Sequence, residues 1–329
     1  MCKCEVLCET ISKEDWDSFY LGTIKSPMQI YNACSIGGDK WIPLFVRIKE
    51  NDKTVFQWLL YLKGKKGLYI LLANAEPVPV NIKYMKMALD KIQSKYHPFR
   101  FDFYSITLSR LESEAILREL DFDHIYSYAS NIVSLDKTED ELFADVHSKH
   151  RNVIRKAVKS GVIIREKEIS EANIRMYKEI SAITYKRSHG KDISNGELNA
   201  YINAFKDSKN IRMFFAESED GVQAASLMLV TDYVAIYWHG ASCNHPITGA
   251  ANLLHWETMK QLKKEGVKYY DFGGLSINPA EGTKGEGINR FKTRFGGEIK
   301  TYYGGVKIYS KLFNGLYKIL MLLRDVFRR

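Results

Sequence analysis

The sequence predicts a mixed α/β (α+β) protein built as two similar domains, each a mostly antiparallel mixed sheet flanked by helices. Three observations carry that prediction. The chain has 329 residues, which favours two domains over one. Its hydrophobic content of 45% is enough for sizeable cores. Strand-like runs and helical apolar stripes also recur in the same order in both halves: meandering strands, a helix, then another strand.

In the first half, a short strand at 5–8 is followed by a helix opening near Ser12, which can cap it with Glu14 and Asp15 in the first turn. A second helix start is expected at 26–31, with Pro27 in a first-turn position. Strands at 41–48, 54–62 and 67–72 follow, the first two joined by the polar run Lys49 to Lys53. A helix at 80–96 has Ile82, Met85, Leu89 and Ile92 at helical spacing. A strand at 99–106, a helix at 109–120 and a strand at 125–135 complete the half.

Thr138 with Glu141 forms a capping box, opening one long helix to about Ser160. Its expected buried stripe is Leu142, Phe143, Val146, Val153, Ile154 and Ala157, and Gly161 is placed to end it. A strand at 162–167 and helices at 171–187 and 196–205 come next. Strands at 211–217 and 222–230 flank the turn Glu219-Asp220-Gly221, which fits a hairpin. Then come a strand at 233–241, a helix at 249–265 and a strand at 267–272. An exposed loop at 276–284, a short helix at 288–295 and a strand at 299–303 complete the body. The expected domains are 1–136 and 137–307, with an amphipathic basic helix over 308–329.

The net charge of +9 points to anionic partners: nucleic acid, phosphate-bearing substrates or an anionic membrane surface. Five cysteines, three of them crowded at positions 2, 4 and 8, do not form a disulfide framework or a zinc-site spacing. No apolar leader or run of about 18 apolar residues is present. The expectation is a cytoplasmic protein without a metal or bound cofactor. The terminal helix, with its leucine stripe and Lys311, Lys318, Arg324, Arg328 and Arg329, either docks on the body or lies on the inner face of an anionic membrane.

The chemistry concentrates at 269–297, YYDFGGLSINPAEGTKGEGINRFKTRFGG. Asp271 ends a strand, Gly273 and Gly274 turn the backbone, and a cationic turn with Arg290, Lys292 and Arg294 follows the loop. Such a turn can stabilise negative charge on an attacked carbonyl or a phosphate. His239, within YWHGAS (237–242) at an expected strand end, is either a base or a pocket-lining residue. The helix start at Gly249 and Ala250 offers backbone N–H groups to an anion. Arg151 and Arg155, one turn apart beside Asn152 and Lys156, can grip a phosphate or form a solvated helix face. His147 and His150 lack a third metal ligand.

The segments HRNVIRKAVKSGV (150–162), YWHGAS, GAANLLHWETMK (249–260), YDFGG (270–274) and FKTRFGG (291–297), in that order, resemble the FemABX transferases within the GNAT-like N-acyltransferase superfamily. The resemblance implies two GNAT-like domains. It also implies transfer of an aminoacyl group from aminoacyl-tRNA to an amine of a nucleotide- or lipid-linked peptidoglycan precursor. It places Lys292 at the reacting centre; Asp271 and His239 are the other expected catalytic residues. Arg151, Asn152, Arg155, Lys156, Tyr237, Gly249, Tyr270, Arg294 and Gln29 are expected to bind substrate. The long helical-hairpin arm of some family members is absent. The stretch His245-Pro246-Ile247-Thr248-Gly249-Ala250 stands where acyl-CoA users carry Arg/Gln-x-x-Gly-x-Gly/Ala, and does not match it. Two alternatives stay open: an acyl-CoA-dependent N-acyltransferase acting on an amino sugar or surface-polysaccharide precursor, and a non-catalytic module binding anionic ligands.

Overall fold

A computed structural model describes residues 2–7, 11–20, 26–104, 114–187 and 193–326. The chain runs β1 (Cys2–Leu7), α1 (Lys13–Ser18), β2 (Trp41–Glu50), β3 (Lys53–Lys65), β4 (Leu68–Ala73), α2 (Ile82–Tyr96), β5 (Arg100–Phe103), α3 (Glu114–Glu119) and β6 (His124–Ser134). It continues through α4 (Glu139–Asp145), α5 (Ser148–Lys159), β7 (Ile163–Lys167), α6 (Glu171–Arg187), α7 (Asn195–Phe205), β8 (Ile211–Ser218), β9 (Gly221–Val230) and β10 (Val234–Ser242). The remaining elements are α8 (Ala250–Lys264), β11 (Tyr269–Leu275), α9 (Lys284–Thr293), β12 (Glu298–Ile308) and α10 (Lys311–Val326). Cys8, Phe327, Arg328, Arg329, the expected end of the strand at 106 and the expected helix start at 109 lie outside the described residues.

Two compact units result. One holds residues 1–21, 28–128 and 301–329; the other holds 22–27 and 129–300. In the first, β1, β2, β3 and β4 form an antiparallel meander. The chain crosses through α2 to place β5 parallel to β4, and β12 pairs antiparallel with β5. In the second, β7, β8, β9 and β10 form the antiparallel meander. Here α8 is the crossover, β11 lies parallel to β10, and β6 pairs antiparallel with β11. The order of elements expected from the sequence is therefore realised twice.

Each crossover helix buries the face that its sequence marks. Met85, Ala88, Leu89 and Ile92 of α2 recur at three- and four-residue steps and pack on Trp58, Leu60 and Phe101. Leu253, Leu254, Met259 and Leu262 of α8 pack in turn against Phe214, Met228 and Ala235. Turn chemistry also follows the sequence. Asn51 and Asp52 take φ of 49° and 64° to close β2 onto β3, the left-handed pair that a two-residue hairpin needs. Thr138 and Glu141 form the full capping box.

Four expectations are corrected. The long helix at 138–160 is two helices: Val146 turns extended (ψ 127°), and His147 caps α5 by accepting the Lys149 N–H on Nδ1. The helix expected at 288 begins at Lys284, because Thr283 caps it by accepting from the Glu286 N–H. The start expected at Pro27 forms 3-10 turns at Pro27–Gln29 and Tyr31–Ser35. The last strand runs on to Ile308, paired with β5. Among the described residues, no helix is long and apolar enough to cross a membrane. No group of three or more His, Cys, Asp or Glu there could hold a metal ion.

Candidate active site

The second unit opens at the carboxyl ends of β10 and β11. Their parallel ladder covers only Val234↔Tyr269, Ala235↔Tyr270 and Ile236↔Asp271, although both strands run on. Each strand bulges where the ladder stops. β10 gains a residue on β9 between Tyr237 and His239, and β11 gains one on β6 between Asp271 and Gly274. Bulges re-aim side chains and terminate pairing, so two side by side leave a local opening in the sheet. Gly273, at φ 70°, takes the bend: a Cβ there would lie 3.0 Å from the Tyr237 carbonyl oxygen and 3.8 Å from Lys292 Nζ.

Asp271 and Lys292 face this bend. The Asp271 carboxyl is completely buried. Its Oδ1 accepts from the Ser130 hydroxyl and, at 2.7 Å, from the Gly273 N–H. Its Oδ2 is buried without a hydrogen-bond partner. Burial pushes the carboxyl up to about 6, against the Ser130 and Gly273 hydrogen bonds and the Lys292 charge. Lys292 Nζ donates to the Gly274 carbonyl at 2.8 Å and stands 5.8 Å from the Tyr237 ring centre. Burial lowers the ammonium to about 8, with Asp271 opposing. Near neutral pH the pair is therefore carboxylate and ammonium, each held close to its titration point.

Side chains that sequence reasoning passed over fix this geometry. Asn131, buried in β6, donates from Nδ2 to the carbonyls of Lys292 (3.1 Å) and Gly296 (2.8 Å), tying off the end of α9. His150 donates from Nε2 to the Phe291 carbonyl at 3.0 Å, and burial lowers its affinity for a proton. His255 lies at the centre of an aromatic cluster of Tyr237, Tyr270, Phe272, Phe291 and Phe295. Its Nδ1 is 2.7 Å from the Tyr270 hydroxyl. Burial, then the charges of Lys292 and His150, hold it down at about 3, so it is a neutral packing group rather than a base. The polar pair Ser130-Asn131, set between Ala129 and Ile132 in β6, was the available signal for this scaffold.

The other expected site residues scatter. Tyr237 and Tyr270 belong to the cluster, and burial raises both phenols. The bulge draws His239 toward α6, where Nδ1 and the Tyr177 hydroxyl are 2.5 Å apart and the ring stacks on Tyr185. Arg151 turns Nη1 back to the carbonyls of Ala144 (2.8 Å) and Val146 (2.5 Å), sealing the end of α4. Arg155 lies over the Phe143 ring at 5.2 Å with Nη1 3.5 Å from Asn152 Oδ1. The two guanidinium groups are thus not presented as a matched phosphate grip. Asn152 and Lys156 are exposed, and Arg294 is half-buried at the end of α9.

Gln29 is corrected. It is buried in the first unit, where its Oε1 accepts from the Leu59 N–H at 2.8 Å and its Nε2 reaches the Leu59 and Ala75 carbonyls. The amide is spent on backbone, which makes it a structural group rather than a substrate contact. Gly249 opens α8 at φ 89°, and a Cβ there would lie 2.0 Å from the Val153 carbonyl oxygen of α5. Gly249→Ala is expected to destabilise the protein by about 1 kcal/mol or more, read as a lower Tm. An unchanged Tm would mean that the contact between α5 and α8 is loose.

Residues 144–293 match the family model described as an acetyltransferase (GNAT) domain, a span from the end of α4 to the end of α9 that includes Asp271 and Lys292. Over that span the chain is similar to GNAT-type acetyltransferase domains. Among solved structures it shares its fold with FemX, at a TM-score of 0.77 and 14% identity over 96% of this chain and 99% of that one. The C-terminal domain of a protein described as a lysylphosphatidylglycerol synthetase, from Agrobacterium fabrum, gives 0.60 and 13% over 93% and 95%. A tandem GNAT protein from the clavulanic acid biosynthesis pathway gives 0.52 and 11% over 94% and 99%. No curated protein matches the chain in sequence. The expected likeness to FemABX proteins within the GNAT-like superfamily is confirmed at the level of fold.

Proposed function

We propose that this chain is a FemABX-like N-acyltransferase that moves an aminoacyl group from aminoacyl-tRNA to an amine of a peptidoglycan precursor. The carrying observation is Lys292: a half-buried ammonium fixed on the Gly274 carbonyl, beside Tyr237, where the sheet opens. In the reaction the acceptor nitrogen attacks the ester carbonyl carbon. The C–N bond forms, the bond to the tRNA ribose oxygen breaks, and the amine proton ends on that oxygen. Negative charge gathers on the carbonyl oxygen in between. An ammonium in apolar surroundings stabilises it far better than water would. Asp271, fully enclosed, acts through its neighbours: it holds the Gly273 bend and keeps Lys292 charged. The net charge of +9 favours phosphate-rich donors and acceptors.

The start of α8 favours the tRNA donor over CoA. A pyrophosphate docked at a helix N-terminus needs open N–H groups without a competing negative dipole. Here the Val153 carbonyl oxygen of α5 lies against Gly249, and the 245–250 stretch departs from the acyl-CoA pattern. A neighbour named for making lysylphosphatidylglycerol, by that name an aminoacylated lipid, fits an aminoacyl donor on this fold. The second reading, acyl transfer from CoA to an amino sugar, draws on the acetyltransferase family model.

Labelled aminoacyl-tRNA and labelled acetyl-CoA, each offered with a cell-wall precursor extract, separate the readings. Label passing from tRNA to the precursor is the expected result. Label passing only from CoA keeps the fold and replaces the donor. Binding of tRNA or lipid with no product from either donor would make the chain a binding module.

A further inference from the structure

An amphipathic surface helix ordinarily turns its apolar stripe toward the core. α10 does the reverse. Its inner side carries Asn314, which is buried and accepts from Arg100 Nη1 at 3.1 Å, and Tyr317, whose ring lies 5.6 Å from the Arg100 guanidinium. Phe99 packs against Phe313 and Tyr317 from the same side. Leu312, Leu316, Ile319, Leu320 and Leu323 follow one another at three-, four- and one-residue steps on the opposite side, and they are between 49% and 70% exposed. An isolated exposed leucine needs no explanation; five on one face of one helix do.

The flanks indicate what covers this face. Leu322, 68% exposed, widens the stripe to about 160° at 100° per residue; Lys311 and Lys318 then fall just beyond one margin and Arg324 just beyond the other, all three exposed. A second copy of α10 laid on this face would bring these cations toward their own kind. A layer with an apolar interior and an anionic surface accepts the leucines and the cations together.

We infer that α10 is a docking element for an anionic lipid surface. The helix lies in the plane of the interface with its leucines in the acyl boundary and its Lys and Arg among the phosphates. It does not span the layer, since it is too short and carries charge along its length. The inference stands apart from the transfer reaction and holds whichever donor is used.

Co-sedimentation of the full chain with vesicles tests it. Binding is expected to vesicles containing phosphatidylglycerol, weaker binding to phosphatidylcholine alone, and weakening with added salt. Lys311→Gln and Lys318→Gln should each lower partitioning by about fivefold. Leu316→Gln with Leu320→Gln should abolish it with little change in Tm, because both residues are half or more exposed. Failure of the unaltered chain to bind phosphatidylglycerol vesicles at low salt overturns the inference. So does undiminished binding by the Leu double variant. A dimer in solution that this variant dissolves would also overturn it, by showing that a second copy covers the face.

Discussion

Lys292→Ala is expected to lower kcat by about 100- to 1000-fold with little change in KM, the loss typical of removing one preorganised oxyanion donor. The ammonium is positioned by its bond to the Gly274 carbonyl and by the tie of Asn131 to the end of α9, not by substrate. A uniform binding contact would raise KM instead. Lys292→Arg should rescue poorly. A planar guanidinium needs more room than the place between Tyr237 and Gly273 offers. In the unaltered protein, activity should fall as pH rises through about 8, where the ammonium loses its proton. Near-normal turnover of the Ala variant, measured with the labelled donor, would remove Lys292 from the reacting centre.

Asp271→Asn should separate stability from activity. The carboxyl titrates near 3.8 when unfolded and at about 6 when folded, so the folded state holds its proton more tightly. The contribution of this group to stability is intact below the lower value and is lost as pH rises through the upper one. A shift of about two units corresponds to about 3 kcal/mol. Asn keeps an oxygen for Ser130 and Gly273 but cannot ionise. Relative to the parent, the variant should therefore gain stability between about pH 4 and about pH 7, by up to about 3 kcal/mol in denaturant titrations. Its activity should drop, and the alkaline limb of its pH profile should move below about 8, because Lys292 loses the carboxylate that supports its charge. An alkaline limb that stays in place would show that Asp271 only shapes the bend.

Much of this architecture was legible because local signals agree with the fold. The capping box at Thr138, the Glu219-Asp220 hairpin and the stripes of α2 and α8 each act over a few residues. The break between α4 and α5 was not legible. Leu142, Val146, Val153 and Ala157 keep a helical rhythm across it. What breaks the helix is His147 serving as a cap and Arg151 collecting the freed carbonyls. At the site, the Asp271-Gly273-Gly274 turn and Lys292 could be read as chemistry from their residue types. The paired bulges that bring them together depend on register against β9 and β6, which no single segment encodes. Gln29 failed for a related reason: a polar side chain near an expected helix start gives no sign that backbone 30 and 46 residues away will consume it.

The interrupted path of the chain sets an order on synthesis. β5 has β4 on one side from the time both have emerged from the ribosome, but its other neighbour, β12, comes roughly 200 residues later. Residues 129–300 must be made in between, and they form a unit with its own core. Throughout that interval the nascent chain carries a half-finished sheet with an open edge at Arg100–Phe103. Slow translation across the middle of the gene would lengthen the exposure of that edge. Overproduction losses should therefore track elongation speed between the two strands more than the stability of the finished protein.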